Sequence, residues 1–166
     1  MTKSPLVKRM IYGASAIDVF RKLVKMGEAE TSCRLPEEVE YYLVRLFLVS
    51  FRINDPREVP ERRLATIYAD VRESKDTVTQ LHYLHELGFE GLKLLGFFPE
   101  AIVHRNVSES YIFAMTAAAY ESIAAIDTKR VKGNSFLRFL VPTSRQLVTC
   151  LPEAVLVLRQ TRAVGG

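Results

Sequence analysis

The sequence lacks several features that would direct attention to a function. It has no tryptophan and only two cysteines in 166 residues, and neither Cys33 nor Cys150 belongs to a CxxC pair. The first ten residues contain no apolar stretch followed by a small-residue cleavage site. Disulfides and signal peptides accompany secretion. We therefore expect reduced thiols and a cytoplasmic location.

Long apolar stretches are also absent. Residues 110–120 form the longest candidate, and they fall short of the roughly 18 residues that a membrane-spanning helix needs. The sequence contains no GxSxG, GxGxxG or P-loop motif and no EF-hand loop. These absences predict no membrane span and no cofactor, and they favour a non-enzymatic protein over an enzyme.

Charge is unevenly distributed along the chain. Residues 1–34 carry seven Lys or Arg and three acids, residues 35–127 carry nine and fifteen, and residues 128–166 carry seven and one. The resulting charges of +4, −6 and +6 sum to the net charge of +4. The two basic ends either pack against the acidic middle or form a face for nucleic acid. Because the Lys and Arg residues are dispersed, nucleic-acid binding ranks third among the hypotheses below.

Apolar residues recur every three or four positions over most of the chain, which is the pattern of amphipathic helices. Pro142 and Pro152 must each begin or kink a helix near the end of the chain. Ser108 is expected to be an N-cap. The sequence predicts one all-α domain over residues 1–166, a bundle of six or seven helices. The predicted helices are 6–27, 36–52, 60–73, 75–95, 109–127 and further helices in the final 30 residues.

The segment 109–127 has few polar side chains and contains six alanines. Such a helix is typical of a buried, central position in a bundle. Glu121 lies among the small residues, where a charge is costly unless it is paired. We hypothesise that Glu121 joins a buried polar cluster; a structural ion pair or a glutamate that reaches the surface is the alternative. The candidate partners are Arg105, Arg130, a histidine and the hydroxyls of Tyr111 and Tyr120.

The segment QLHYLHELGF, residues 80–89, places His82 and His85 three residues apart, with Glu86 following. On a helical wheel His85 falls in the middle of the apolar arc, His82 at its edge and Glu86 on the polar side. Since the three side chains diverge, the sequence predicts no metal site and a neutral core histidine at 85, bonded to a carbonyl or carboxylate. The glycines that follow are expected to let helices approach closely: Gly88, Gly91 and Gly96.

Four stretches of the sequence form a distinctive combination. They are GFF at 96–98, Arg105, SYIFAMTAAAY at 110–120 with Tyr111, Met115 and Tyr120, and PEEVEYYLVRLF at 36–47. The combination resembles a family of small, mostly proteobacterial proteins with no established activity. The resemblance implies a helical fold and a bacterial origin. Phe89 is a departure, because the family tends to carry an acid after the preceding glycine.

Three hypotheses for function follow. The first is a non-enzymatic protein that binds a protein partner or itself, as a homodimer, because the helices offer much apolar and small-residue surface without a catalytic constellation. The second is a small-ligand-binding bundle or a cryptic enzyme with a pocket between helices 75–95 and 109–127. The third is nucleic-acid binding through the basic ends. The residues assigned to the pocket are His85, Phe97, Arg105, Tyr111, Met115, Tyr120 and Glu121.

Overall fold

A computed structural model describes residues 16–52, 67, 69, 76–103 and 107–165. Within these ranges the chain forms seven α-helices and one 3-10 helix and no strand, which confirms the all-α bundle. The predicted helix 60–73 lies outside the described residues, apart from the helical Ile67 and Ala69. The helices are α1 (Ala16–Thr31), α2 (Glu37–Arg52), α3 (Thr77–Phe97), α4 (Pro99–Val103), α5 (Glu109–Ala124), the 3-10 helix (Thr128–Val131), α6 (Ser135–Thr149) and α7 (Leu151–Gly165).

Short polar side chains fix the starts of three helices. Asp76 accepts a hydrogen bond from the backbone N–H of Thr79 at the start of α3, and Asn134 accepts one from Leu137 at the start of α6. Ser108 accepts one from Tyr111, which confirms the predicted N-cap of α5. Each cap satisfies a backbone N–H that has no partner within its own helix.

The two late prolines play different roles. Pro152 is the second residue of α7, where its missing N–H costs no intrahelical hydrogen bond. Pro142 lies inside α6 on its exposed side, where it removes one intrahelical hydrogen bond. One proline therefore begins a helix and the other interrupts the hydrogen bonding of one.

The most buried of the described helices is α3, whose residues 90–97 are all buried. It packs against α5 and α7, while α1 packs against α7 and α2, and α6 against α5. Helix α5 differs from the expectation for 109–127, because only one of its faces is buried and Ala114 and Ala118 are exposed. Alanine has little apolar surface to hide, so exposing these side chains costs little.

Glycines bring α3 close to its neighbours, as the sequence predicts. A β-carbon added at Gly88 would come within 2.7 Å of the Tyr120 ring, and one added at Gly91 would overlap the hydroxyl of Thr116. These contacts join α3 directly to α5. A scan of the described helices finds none with the length and apolar character needed to cross a bilayer.

Candidate functional site

The structure does not bring the sequence-predicted pocket residues together into one site. Tyr120 is fully buried, Met115 is half-buried, and Tyr111 has 59% of its surface exposed. Phe97 is buried in the core at the end of α3, and Arg105 lies outside the described residues. The direct contact between α3 and α5 leaves no room for a ligand at Gly88 and Gly91.

Glu121 lies on the solvent side of α5, so the hypothesis of a buried cluster around it is wrong. The buried stripe of α5 includes Ile112, Thr116 and Ile123. At 100° per residue, position 121 points about 140° to 180° away from these positions. The alanines around Glu121 belong to the exposed face, so the carboxylate stays in water.

His85 faces the interior, as the helical wheel predicts. Its ring lies 5.8 Å from that of Tyr42, 5.2 Å from Phe89 and 5.0 Å from Phe136. The Nε2 atom is buried and has no hydrogen-bond partner in the part of the chain that the structure describes, so it bonds to neither a carbonyl nor a carboxylate there. Burial, together with the positive charge of Arg45 and the neighbouring His82, lowers the pKa of His85 to about 4. The imidazole is therefore neutral at pH 7.

The other groups around His85 do not complete a site. His82 is exposed and stacks on Phe136 at 6.2 Å. The hydroxyls of Tyr42 and Tyr120 share a hydrogen bond of 2.6 Å that ties α2 to α5, and burial raises the pKa of both phenols. Among the described residues, no three His, Cys, Asp or Glu side chains gather where they could hold a metal ion.

Two further sets of polar groups lie partly or fully inside the fold. Both cysteines are free and half-buried, and burial raises the pKa of the Cys150 thiol to about 11, which keeps it protonated at pH 7. Glu90 and Lys93 form an ion pair of 3.0 Å inside α3, although sequence patterning alone gives no sign that these charges are buried.

The prominent concave feature is a groove of about 1000 Å³ between α1, α2 and α6, which we call the α1–α2 groove. Helices α1 and α2 run antiparallel, because Phe20 stacks on Phe47 at 5.3 Å and Lys25 binds Glu40 at 2.6 Å. The residues that line the groove are Ile17, Arg21, Val24, Lys25, Arg34, Leu35, Pro36, Glu37, Glu38, Glu40, Tyr41, Val44 and Phe139.

The turn that closes the hairpin of α1 and α2 has a defined geometry. Ser32 follows α1 with a φ of 55°, in the left-handed region that commonly ends helices. The N–H of Cys33 then donates to the carbonyl of Glu28 at 3.0 Å. This turn holds Arg34 beside the start of α2.

Basic and acidic side chains of the groove lie on different walls. The basic side chains stand on α1 and in the following turn, at positions 21, 25 and 34, and the acidic ones stand on α2, at positions 37, 38 and 40. Lys25 and Glu40 are paired. The other four charged side chains are exposed and form no ion pair in the described part of the chain: Arg21, Arg34, Glu37 and Glu38.

Apolar side chains remain exposed between these charges. Ile17 has 49% and Tyr41 46% of its surface exposed. Tyr41 packs edge-on against Phe139 of α6 at 5.7 Å, which fixes its ring at the mouth of the groove. An aromatic residue and an aliphatic residue therefore face solvent inside a rim of charges.

Two neighbouring carboxyl groups adjoin the groove, those of Glu28 and Glu40. Glu28 is almost fully buried and accepts a hydrogen bond from the N–H of Leu35 at 3.0 Å. Burial first, and then its hydrogen bond with Glu40, raises the pKa of Glu28 to about 7. Burial alone would raise the pKa of Glu40, but hydrogen bonds from Glu28 and Lys25 outweigh it and hold that pKa below its usual value. Below pH 7, therefore, Glu28 holds a proton while Glu40 is ionised.

Sequence reasoning missed the α1–α2 groove. Four of its charged residues had no assigned role: Arg21, Arg34, Glu37 and Glu38. One available signal is the short turn between the helices, which places basic residues before it against acidic residues after it. No sequence pattern predicts that Phe139 lines the groove, because Phe139 belongs to a helix about 90 residues further along the chain.

Comparisons with known proteins give no relative for this chain. No protein-family model, no curated protein and no solved structure matches it. The resemblance to a proteobacterial family therefore stays a prediction.

Proposed function

We propose that this chain is a non-enzymatic protein that binds a macromolecular partner through the α1–α2 groove. The observation that carries the proposal is the exposure of Ile17 and Tyr41 within a groove that charged residues surround. Recognition surfaces between proteins combine an aromatic-rich apolar centre with a polar rim. An apolar patch rimmed by polar groups also marks such surfaces on otherwise polar proteins.

The other hypotheses have less support. A ligand between α3 and α5 would need space that the contacts of Gly88 and Gly91 occupy. Nucleic acid would need a basic surface, whereas the groove carries both signs of charge. The proposal includes a cytoplasmic location, based on the sequence, and a bacterial origin, based on the family resemblance.

The experiment that tests the proposal compares two exposed tyrosines by photo-crosslinking in living cells. A photoreactive benzoylphenylalanine replaces Tyr41 in the groove or Tyr111 on α5, which is 59% exposed and serves as the matched control. We expect irradiation to produce a discrete adduct from position 41 and none from position 111. A discrete adduct from position 111 alone, or no adduct from position 41, would show that recognition does not use the groove.

A further inference from the structure

Resting on that proposed function, we propose that the partner is a second copy of this chain, docked groove to groove about a two-fold axis that runs along the groove. A two-fold interface uses the same patch on both copies, so the patch must complement itself. The α1–α2 groove meets this requirement through the arrangement of its charges.

The separation of charge between the walls is complete among the lining residues. Among the residues that line the groove, the charged side chains on α1 and in the turn, at positions 21, 25 and 34, are basic, and those on α2, at positions 37, 38 and 40, are acidic. A rotation by 180° about an axis parallel to the helices exchanges the positions of the two walls. It keeps each residue at the same position along the groove. It therefore lays the basic wall of each copy over the acidic wall of the other.

The alternative two-fold arrangement is unfavourable. An axis across the groove would lay α1 on α1 and α2 on α2, which places bases opposite bases and acids opposite acids. Like charges brought face to face in an interface repel each other and disfavour that arrangement. The charge pattern therefore selects the axis along the groove.

The level of the charges at the turn end supports the same arrangement. Arg34 precedes Glu37 by three residues, so both lie at the turn end of the hairpin. In the docked pair Arg34 of each copy faces Glu37 and Glu38 of the other, and these side chains form no ion pair with the described residues of their own copy. Lys25 and Glu40 are already paired within one copy and do not need the partner.

The apolar residues occupy the middle of the docked surface. The ring of Tyr41 and the side chain of Ile17, both about half exposed, become covered by the opposite groove. Tyrosine is enriched at the centres of interfaces because it buries a large surface with few rotatable bonds. The charges at the rim then set orientation, and burial at the centre supplies affinity.

The test is a charge-exchange experiment followed by analytical ultracentrifugation. One variant, Arg21→Glu/Arg34→Glu, leaves Lys25 as the only basic side chain that lines the groove, and the other, Glu37→Arg/Glu38→Arg, leaves Glu40 as the only acidic one. We expect the wild-type chain to dimerise and each variant alone to dimerise at least about tenfold more weakly. An equimolar mixture of the two variants is expected to recover dimers, because the contacts of position 34 with positions 37 and 38 are again between opposite charges.

The controls carry the same changes of charge away from the groove. Lys129→Glu/Lys132→Glu and Glu121→Arg/Glu153→Arg alter exposed positions and should dimerise like wild type. Circular dichroism checks that every variant is folded. Where a double variant loses its helical signal, the single variants Arg34→Glu and Glu38→Arg are mixed in the same way.

Three results would overturn the second-copy proposal. They are a wild-type chain that stays monomeric at every concentration, groove variants that dimerise like wild type, or a mixture that fails to pair. A monomeric chain that nevertheless gives a crosslinked adduct with another protein from position 41 would leave the proposed function standing with a different partner.

Discussion

Two buried residues give the protein opposing responses to pH. Burial moves the pKa of Glu28 from 4.5 up to about 7, and it moves the pKa of His85 from 6.5 down to about 4. The folded state therefore holds a proton on Glu28 that the unfolded chain releases between pH 4.5 and 7, so stability falls as pH rises. The folded state keeps His85 neutral, whereas the unfolded chain binds a proton there below pH 6.5. The free energy of unfolding therefore falls as pH falls. The two effects oppose each other between pH 4.5 and 6.5.

Replacing Glu28 with glutamine is expected to remove the first response. The amide oxygen of Gln can still accept from the N–H of Leu35, and its NH₂ group can donate to Glu40. The free energy of unfolding of Glu28→Gln, minus that of wild type, should therefore increase from pH 5 to pH 7. The slope cannot exceed about 1.4 kcal/mol per pH unit for one proton. Urea unfolding at several pH values measures it, and a difference that is constant with pH would contradict the assignment.

Replacing His85 with leucine is expected to remove the second response. The change preserves an apolar contact with the surrounding rings and eliminates a buried nitrogen without a partner. At pH 7 the stability should change by less than about 1.5 kcal/mol, as for a volume-conserving exchange. Below pH 6.5 the variant should gain on wild type progressively. Acid unfolding of the two proteins side by side measures the gain, and identical acid midpoints would disprove it.

The helical wheel predicts which way His85 points, but not what its nitrogen meets. The neighbours of His85 include Tyr42 and Phe136, which come from helices far away in the sequence. The prediction of a hydrogen-bonding partner for His85 is therefore wrong, because two of the groups that surround its ring come from other helices. The raised pKa of Glu28 depends in the same way on Glu40 of the next helix.

At the scale of helices, the contact between α3 and α5 is expected to be intolerant of added atoms. Gly91→Ala would force its methyl group against the hydroxyl of Thr116, and overpacking of this kind costs about 1–3 kcal/mol. Gly133→Ala is the matched control, because nothing lies within 4 Å of the added carbon. It should be neutral or stabilising by up to about 1 kcal/mol. Urea midpoints compare them, and equal midpoints would contradict the close contact.

Arg145 of α6 closes the end of α5. Its guanidinium donates to the carbonyls of Ala124 and Ile126 at 2.8 Å each. Arg145→Met should cost about 1 kcal/mol, because these helix-end carbonyls lose charged donors. Arg138→Met on the same helix is the control, since the Arg138 side chain is exposed and forms no hydrogen bond or ion pair with the described residues. Thermal unfolding measures both, and equal losses would assign Arg145 no special role.

Sequence patterning predicts the helices well and their burial less well. Apolar periodicity locates α2, α3 and α5, and the glycines of α3 correctly predict close packing. The alanine-rich composition of α5 suggests burial all round, yet the structure exposes Ala114 and Ala118. Alanine is compatible with either environment, so composition alone does not show which face of this helix meets the core.

At the scale of the whole molecule, folding converts a linear charge pattern into a surface pattern. The sequence shows a basic first segment and an acidic middle, which suggest either internal packing or a nucleic-acid face. The hairpin of α1 and α2 instead places parts of both segments on opposite walls of one groove. Register between the helices and the position of Phe139 are tertiary properties, so the sequence predicts the fold class without the groove.

Sedimentation velocity over a range of protein concentrations tests most directly the central claim, that the groove of one copy recognises the groove of another. The comparison uses wild type, Tyr41→Ser in the groove and Tyr111→Ser on the exposed face of α5. The account predicts that wild type and Tyr111→Ser shift from the mass of one chain to that of two, and that Tyr41→Ser shifts only at much higher concentration. A wild type that keeps the mass of one chain throughout, or a Tyr41→Ser variant that dimerises like Tyr111→Ser, would contradict it.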